Sequence, residues 1–326
     1  MTAGPRDPGL QLVTVVLNWY GYDDTLRCVE SLVEDRADRV ILVVDNGSYD
    51  GTLDAVRERW PTVRTLQTGD NLGFAGGMNA GVRWSLEHGA ENVAITNNDV
   101  VCPPGTLDSL LEVAAQQTAI SPEIRYDADP DRIWFGGGVV DWSCNWPRHL
   151  DPGTEHLASD TRLRPTEILA GCFVLAPASV WERVGLFDEG YFLIFEDSDW
   201  SLRAGAAGVR LAVDTGTVIR HRVSASFTGG TAYLGTYYYL RNGLIFGARW
   251  GRRGWPTVRF LRRRILPQLA GPLRNRDPVA EFRLLVVLGY ALLGYAAGRR
   301  GRASRSLERR VDRWHRRQAT GLRRAK

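Results

Sequence analysis

The chain has 326 residues, 44% hydrophobic and 10% aromatic, which excludes an intrinsically disordered protein and indicates a packed core. Its four cysteines form no CxxC pair and have no histidines at ligand spacing, so neither a zinc site nor a disulfide framework is predicted. The net charge of +4 is uneven: from Arg249 onward there are 22 Lys and Arg against 4 Asp and Glu, a balance of +18 that leaves −14 before it.

The N-terminal segment MTAGPRDPGLQ lacks the basic-then-apolar pattern of a signal peptide, and the chain has no run of about 20 apolar residues that would span a bilayer. We therefore expect residues 1–10 to form a flexible N-terminus. We also expect a cytoplasmic protein rather than a secreted or integral membrane protein.

Short β-branched runs then alternate with helical patterns along the first hundred residues. Strands are predicted over 12–17, 40–44, 63–67 and 92–96. The helices between them are one capped by Asp23 and Asp24, with apolar positions Leu26, Val29, Leu32 and Val33, one over 51–59 and one over 75–88. In such a β-α-β-α-β-α-β unit, right-handed crossovers bring the carboxyl ends of all four strands to one edge of a sheet, where ligands bind in open α/β sheets.

Polar residues follow each predicted strand at that edge. They are Asn18 after the first strand, Asp45-Asn46-Gly47-Ser48 after the second, the loop 71–77 after the third and Asn97-Asn98-Asp99 after the fourth. Any one of them is explained by a turn, because Asn, Asp and Gly are the usual turn residues. Four such polar segments at one edge of the sheet predict a binding site. No GxGxxG follows the first strand, so NAD binding is disfavoured and another nucleotide stays open.

Five segments occur in the order found in one enzyme family: VTVVLNWYGYDDTLRCVESL, VVDNGSYDGT, NLGFAGGMNAG, ITNNDV and AGCFVLAPASVWERVGLFDEGYFLIFEDSDWSLRAGAAG. Together they resemble the inverting glycosyltransferases of family 2, which have the GT-A fold. The third and fifth segments look most like those of bacterial rhamnosyltransferases, which use dTDP-L-rhamnose. The resemblance implies a Rossmann-like mixed sheet flanked by helices over residues 11–250, followed by an Arg-rich helical C-terminal region over 251–326.

Several residues are candidates for nucleotide binding. Asp45 can accept a hydrogen bond from the imide N–H of uracil or thymine and resembles the base-reading aspartate of the family. Gly73 begins a stretch that allows close backbone approach and opens a helix whose N–H groups favour negative charge, with a plain glycine turn as the alternative. Asn71 and Asn79 can bond ribose or sugar hydroxyls. The other predicted nucleotide contacts are Asn18, Asn97 and Asn98.

A divalent cation is the predicted cofactor, although ITNNDV offers one carboxylate, Asp99, where many members of the family have two. Mg²⁺ or Mn²⁺ can neutralise the charge of a leaving diphosphate and can take waters and diphosphate oxygens, so one or two protein ligands suffice. The resemblance implies Asp99 and His221, in VIRHRVSAS, as those ligands. A lone histidine is otherwise more often structural. Asn97, at the position of the first aspartate, is expected to position the ribose.

The acidic cluster Glu196-Asp197-Ser198-Asp199 precedes a helix predicted over 200–207. Acids at a helix N-terminus often serve only as caps, but three exceed that need, and the preceding YFLIF suggests a partly apolar cleft suited to a general base. The resemblance implies Asp197 as the base and Glu196 as a residue that orients the acceptor or the base. Gly171 and Cys172 resemble the segment beside the donor sugar, with no nucleophilic role for the cysteine.

These assignments predict a metal-dependent single displacement with inversion. The predicted reaction moves L-rhamnose from dTDP-L-rhamnose to a glycan or polyprenyl-diphosphate-linked acceptor in cell-wall or surface polysaccharide assembly. The alternatives are a UDP-sugar donor such as UDP-galactofuranose or UDP-GlcNAc, glycosylation of a natural product, and a sugar-nucleotide-binding module without turnover.

The basic C-terminal region leaves three interpretations open. LLVVLGYALLGYAAG, residues 284–298, fits an interfacial helix on an anionic membrane at the inner face of the cell membrane, a helix packed on the catalytic domain, or a surface for homo-oligomers. Nucleic-acid binding is disfavoured because no recognition module accompanies the arginines. Tyr237 to Arg241 are expected to touch a diphosphate or the acceptor.

Overall fold

The computed structural model describes residues 10–35, 39–114, 118–155, 161–223, 232–251, 254–267, 288–289 and 292. They fall into two compact units: residues 10–139, 148–192 and 196–223 form the first, and 140–147, 193–195 and the described residues from 232 onward form the second. The predicted segment 1–10 and the helix over 284–298 lie almost wholly outside the described residues. The predicted domain boundary at 250 stays a prediction, because this division into compact units does not test it.

The first unit is built on a ten-stranded mixed sheet with the strand order β10-β12-β6-β11-β4-β1-β2-β3, in which β5 also pairs with β12 and β7 with β6. These strands are β1 (Leu12–Asn18), β2 (Val40–Asp45), β3 (Arg64–Gln67), β4 (Asn92–Asn97), β5 (Val100–Val101), β6 (Thr118–Tyr126), β7 (Ile133–Phe135), β10 (Leu163–Pro165), β11 (Phe173–Pro177) and β12 (Arg210–His221). A separate hairpin joins β8 (Gly138–Asp141) and β9 (Trp146–His149). Helices α1 (Tyr22–Asp35), α2 (Thr52–Arg59), α3 (Gly73–Glu87), α4 (Thr106–Val113), α5 (Ala178–Val184) and α6 (Glu196–Ala206) flank the sheet.

The predicted β-α-β-α-β-α-β unit is confirmed, since β4, β1, β2 and β3 lie side by side and pair in parallel. Two helix starts differ from prediction. Helix α1 begins at Tyr22, so Asp23 and Asp24 lie in its first turn, and the side-chain oxygen of Asn18 instead accepts the Gly21 N–H. Helix α6 begins at Glu196, four residues earlier than predicted, because acids are favourable within a first turn.

The core lies on both faces of the sheet, as parallel strands covered by helices require. All seven residues of β1 are buried, and successive side chains point to opposite faces. Leu12 and Val16 pack in the cluster that includes α1 and α2, whereas Val13 and Val15 pack in the cluster that includes α3. The sheet is therefore a platform packed on both faces, with isolated buried polar residues such as Thr14 within its strands.

One edge of this platform collects the carboxyl ends of most strands. Strand β11 runs antiparallel to both β4 and β6, and β12 runs parallel to β6. Therefore β6 and β12 run in the same direction as β1 to β4, and their carboxyl ends share an edge with the amino end of β11. We call this edge the carboxyl edge.

The second unit contains α7 (Ala232–Arg249), α8 (Trp255–Phe260) and a π-helical turn over Leu261–Ile265. A π-helical turn places residues five apart on one face, and here it turns both Phe260 and Ile265 into the interior. Trp146 stacks on Phe260 at 5.8 Å between ring centroids and carries the Arg264 guanidinium 4.7 Å above its own ring. Among the described residues, no helix is long and apolar enough to cross a membrane.

Candidate active site

Asp99 and His221 meet at the carboxyl edge because β5 pairs antiparallel with the last residues of β12. His221 lies opposite Val100 in that ladder, which places its Nε2 atom 3.0 Å from Oδ1 of Asp99. The imidazole is buried and packs edge-on against Trp134, with ring centroids 4.5 Å apart. Both predicted metal ligands therefore lie together, although 122 residues separate them in the chain.

The spacing of this pair suits a divalent cation. Neighbouring ligands of an octahedral ion with bonds of about 2.1 Å lie about 3.0 Å apart, which matches the distance between Oδ1 of Asp99 and Nε2 of His221. Within the described part of the chain, no group of three or more His, Cys, Asp or Glu could hold a metal. The chain thus offers two ligand atoms here, and water or ligand oxygens would complete the coordination.

Asp197 is held by the backbone at the start of α6. Its Oδ2 accepts the Gly171 N–H at 2.9 Å, and its Oδ1 accepts the N–H and the hydroxyl of Ser198 at 2.6 and 3.1 Å. A Cβ at position 171 would lie 3.2 Å from the Phe74 ring and 3.4 Å from Cβ of Asp197. Gly171, predicted to lie beside the donor sugar, contacts the predicted base directly.

Glu196 differs sharply from its neighbour because it is only 5% exposed. Burial, and then the charge of Asp197, raises the pKa of the Glu196 carboxyl well above its usual range. Its Oε2 atom has no hydrogen-bond partner among the described residues. The predicted role of Glu196, to orient the acceptor or the base, stays a prediction; its carboxyl is buried beside Asp197.

Cys172 is also buried, and its backbone oxygen accepts the Asn97 N–H at 3.0 Å, which joins the start of β11 to the end of β4. Burial, and then the charge of Asp99, raises the pKa of its thiol well above the usual range. A protonated, buried thiol agrees with the absence of a nucleophilic role.

Asp45 is almost completely buried and accepts four hydrogen bonds from the protein. Their donors are Asn18 Nδ2, Ser48 Oγ, the Tyr49 N–H and Gln67 Nε2. A carboxylate offers about four lone-pair sites, so a base imide N–H would have to replace one donor. Gln67, which is half-buried and 2.6 Å away, is the donor best placed to leave.

Two predicted nucleotide ligands have their amide groups occupied by the protein. Asn18 is fully buried, donating to Asp45 and accepting from Gly21 and Thr25. Asn79 donates to the Phe187 carbonyl and to Glu189 and accepts the Phe187 N–H. Asn18 positions Asp45, and Asn79 fastens α3 to the loop after α5. A direct contact of either residue with a nucleotide stays a prediction.

The glycine-rich loop contacts the protein itself. Gly73 has φ +75°, and a Cβ there would lie 2.4 Å from the Phe192 carbonyl oxygen, which accepts the Ala75 N–H. The Gly73 N–H donates to Oδ1 of Asn71 at 2.9 Å. The backbone of Phe192 therefore makes the close approach that Gly73 permits, and it partly covers the first turn of α3.

The two asparagines of ITNNDV have different surroundings. Nδ2 of Asn98 donates to Oγ1 of Thr25 at 2.9 Å and contacts the Gly21 carbonyl, so this side chain ties β4 to the start of α1. The half-buried Asn97 side chain makes no hydrogen bond with the described residues, which leaves its amide available. Tyr237 and Arg241 belong to the second unit, where both are buried.

The sequence analysis assigned no role of their own to two residues of the site. Asn46 donates to the Gly73 carbonyl and to Asn71, and it accepts the Leu72 N–H, so it fixes the glycine-rich loop to the end of β2. Its place in the run DNGS was the available hint. His149, on β9, packs edge-on against Trp134 at 4.7 Å between ring centroids and lies in no matched motif.

Comparisons with known proteins give a family match and a named relative. Residues 12–174 match the family described as Glycosyl transferase family 2. A Mycobacterium tuberculosis protein named N-acetylglucosaminyl-diphospho-decaprenol L-rhamnosyltransferase is 32% identical over 225 residues, which cover 61% of this chain and 71% of that protein.

Solved structures share the fold. The mannosyltransferase PcManGT from Pyrobaculum calidifontis, in complex with GDP-Man and Mn²⁺, has a TM-score of 0.51 at 19% identity and covers 87% of this chain and 75% of its own. GalNAc-T7 with UDP, GalNAc and Mn²⁺ has a TM-score of 0.55 at 13% identity, covering 83% of this chain and 59% of its own. The predicted GT-A fold, a mixed sheet flanked by helices, is confirmed.

Proposed function

The chain belongs to glycosyltransferase family 2, and on that premise we propose that it is a metal-dependent inverting enzyme that transfers L-rhamnose from dTDP-L-rhamnose to a polyprenyl-diphosphate-linked acceptor. One observation supports the mechanism. A carboxylate held by the backbone, Asp197, and the pair Asp99 and His221 lie at the same edge of the sheet. The name of the mycobacterial relative supports the sugar and the acceptor class.

Asp197 is the proposed base. Its Oδ1 accepts two hydrogen bonds and its Oδ2 accepts one, so Oδ2 keeps a lone pair for the acceptor hydroxyl. Asp197 takes that proton as the acceptor oxygen attacks the anomeric carbon on the face opposite the leaving group, which inverts the configuration. Burial raises the pKa of the adjacent Glu196 carboxyl, which disfavours a second negative charge beside Asp197.

Asp99 and His221 are the proposed cation ligands. Mg²⁺ or Mn²⁺ held there would neutralise the charge that develops on the departing nucleoside diphosphate. Asn97 lies two residues before Asp99 and has an available amide, which suits a hydrogen bond to the ribose. With two protein ligand atoms in the described part of the chain, cation affinity should depend strongly on the nucleotide.

Binding to an anionic membrane surface is the proposed route to a lipid-linked acceptor. On the second unit, Trp255, Val258 and Leu266 are exposed large apolar side chains, and Arg262 and Arg263, in the same helical stretch, are exposed as well. A tryptophan with aliphatic residues and arginines on one surface is typical of helices that lie in the membrane interface. The arginines complement anionic headgroups.

Liposome sedimentation tests this surface with a matched pair of variants. Trp255 and Tyr49 are both 61% exposed aromatic residues, one on each unit. Trp255→Ser should weaken binding to phosphatidylglycerol-containing liposomes severalfold, and Tyr49→Ser should not. An intact protein that ignores these liposomes, or equal losses in both variants, would reject the proposed surface.

The transfer reaction is tested with purified protein, Mn²⁺ and a synthetic polyprenyl-diphosphate-GlcNAc acceptor. We expect product from dTDP-L-rhamnose, none from UDP-galactofuranose or UDP-GlcNAc, and none after EDTA treatment. Product from a UDP-sugar alone would refute the donor, full turnover in EDTA would refute the metal requirement, and a retained anomeric configuration by NMR would refute the single displacement.

A further inference from the structure

His149 lies near both halves of the proposed site, the base Asp197 and the pair Asp99 and His221. Its ring and that of His221 both pack edge-on against Trp134, with centroid distances of 4.7 and 4.5 Å. His149 also interacts electrostatically with Asp197 as well as with His221. It therefore lies near both the proposed base and the proposed cation ligands, outside the five segments that carry the family resemblance.

The hydrogen bonds of His149 fix which ring nitrogen carries the proton. Nδ1 lies 3.2 Å from the Trp134 carbonyl oxygen, which can only accept, so Nδ1 is the donor. Burial is the main cause of a lowered pKa, which favours the neutral imidazole. In that form Nε2 presents a lone pair and no proton.

Nε2 has no partner in the described part of the chain. The imidazole makes no other hydrogen bond there. Nε2 of His149 keeps some solvent exposure, whereas Nδ1 of His221 is fully buried. It is therefore open to a ligand. In the neutral form Nε2 matches a hydroxyl donor and does not match a phosphate oxygen, because two acceptors do not bond. Among the described residues, His149 forms no three-residue metal group with Asp99 and His221.

We infer that His149 is a substrate-binding residue whose Nε2 accepts a hydrogen bond from a sugar hydroxyl. The inference rests on the proposed function, in which the reacting sugar lies between the base Asp197 and the cation ligands Asp99 and His221. Hydroxyls of the transferred sugar and of the acceptor share this chemistry. Either would be oriented by an acceptor atom at this point.

Two substitutions separate the two nitrogens of His149. In His149→Asn, the amide can still donate to the Trp134 carbonyl but nothing replaces Nε2, so kcat/KM should fall about tenfold, the value of one hydrogen bond in a binding site. In His149→Gln, the longer side chain can place an acceptor oxygen near the Nε2 position, and most of the activity should return. A purely structural role at Nδ1 predicts the reverse order.

His88 provides the matched control. Its Nδ1 lies 2.7 Å from the Trp84 carbonyl, and its ring stacks on Trp84 at 3.9 Å, on the exposed end of α3. His88→Asn should leave kcat/KM unchanged. Full activity in His149→Asn, or equal losses in His149→Asn and His149→Gln, would overturn the inference.

The source of the hydroxyl is separated by measuring hydrolysis of the sugar nucleotide without acceptor. If hydrolysis falls with transfer in His149→Asn, the hydroxyl belongs to the donor sugar. If hydrolysis is unchanged and KM for the acceptor rises, it belongs to the acceptor. A wild-type protein that transfers no sugar would refute the proposed function, whereas an active wild type with an equally active His149→Asn refutes only this inference.

Discussion

Replacing Asp197 with asparagine tests the proposed base and has a cost in stability that the hydrogen bonds define. The two carboxylate oxygens accept N–H groups from opposite sides, Gly171 at 2.9 Å and Ser198 at 2.6 Å. An asparagine can offer its oxygen to one of them and must turn its NH₂ toward the other. One charge-assisted hydrogen bond is lost, so the free energy of unfolding should fall by about 2 kcal/mol, and Tm by about 4–8 °C.

The effect on catalysis should be larger. A general base contributes about 10²- to 10⁴-fold, so kcat of Asp197→Asn should fall by that factor, which corresponds to about 2.7–5.4 kcal/mol of activation free energy. Nucleotide binding should persist because the Asp45 region is unchanged. The assay is transfer from dTDP-L-rhamnose well below the Tm of the variant, together with calorimetric titration of dTDP and Mn²⁺.

Asp199→Asn separates instability from lost chemistry. Asp199 lies in the same first turn of α6, is fully buried and accepts the Arg203 Nε at 2.9 Å. Its replacement should lower Tm more than Asp197→Asn does but leave kcat near the wild-type value at a permissive temperature. If Asp197→Asn binds nucleotide and keeps kcat within about threefold of wild type, far from the factor expected of a base, Asp197 does not have this role.

Three other predictions concern the cation, a buried acid and a glycine. In Asp99→Ala, the affinity for Mn²⁺ titrated with dTDP present should fall about tenfold or more; an unchanged affinity would remove Asp99 from the metal site. The raised pKa of Glu196 contributes stability that is present below the ordinary pKa of 4.5 and is lost as pH rises toward the folded-state value. Chemical denaturation should therefore show Glu196→Gln gaining stability over wild type between pH 4.5 and 7, and a constant difference would contradict this. Gly73→Ala should lose about 2–4 kcal/mol through positive φ and a clash with Phe192, against about 1–2 kcal/mol for Gly105→Ala, where φ is +83° and space is open; equal losses by thermal melting would rule out the clash.

The carboxyl edge was predictable because it follows from local patterns. The predicted strands of five or six residues, each followed within a few positions by Asn, Asp or Gly, indicate both the parallel order and the edge at which the polar groups lie. The sequence also placed Asp99 and His221 together, but only through the family resemblance. The physical reason, the two-residue ladder between β5 and β12, is a long-range contact that no local pattern contains.

Other features of the site depend on tertiary packing and could not be predicted. Glu196 and Asp197 are adjacent acids in one turn, and a helix rotates about 100° per residue, so only the packing of α6 decides that the first is buried and the second accessible. The polar partners of Asn79 lie 108 and 110 residues further along the chain. His149 lies in a hairpin whose sequence matches no motif.

The ladder between β5 and β12 also determines when, during synthesis of the chain, the proposed cation site can form. A ribosome that has released the chain up to β11 has already made Asp45, Asp99 and Gly171, yet β5 still lacks the strand with which it pairs. The chain emerges from its N-terminus, so His221 is the last of the proposed ligands to arrive. Incomplete chains would thus contain at most one of the two proposed cation ligands. A nascent chain should not bind a sugar nucleotide together with a cation until β12 has joined the sheet.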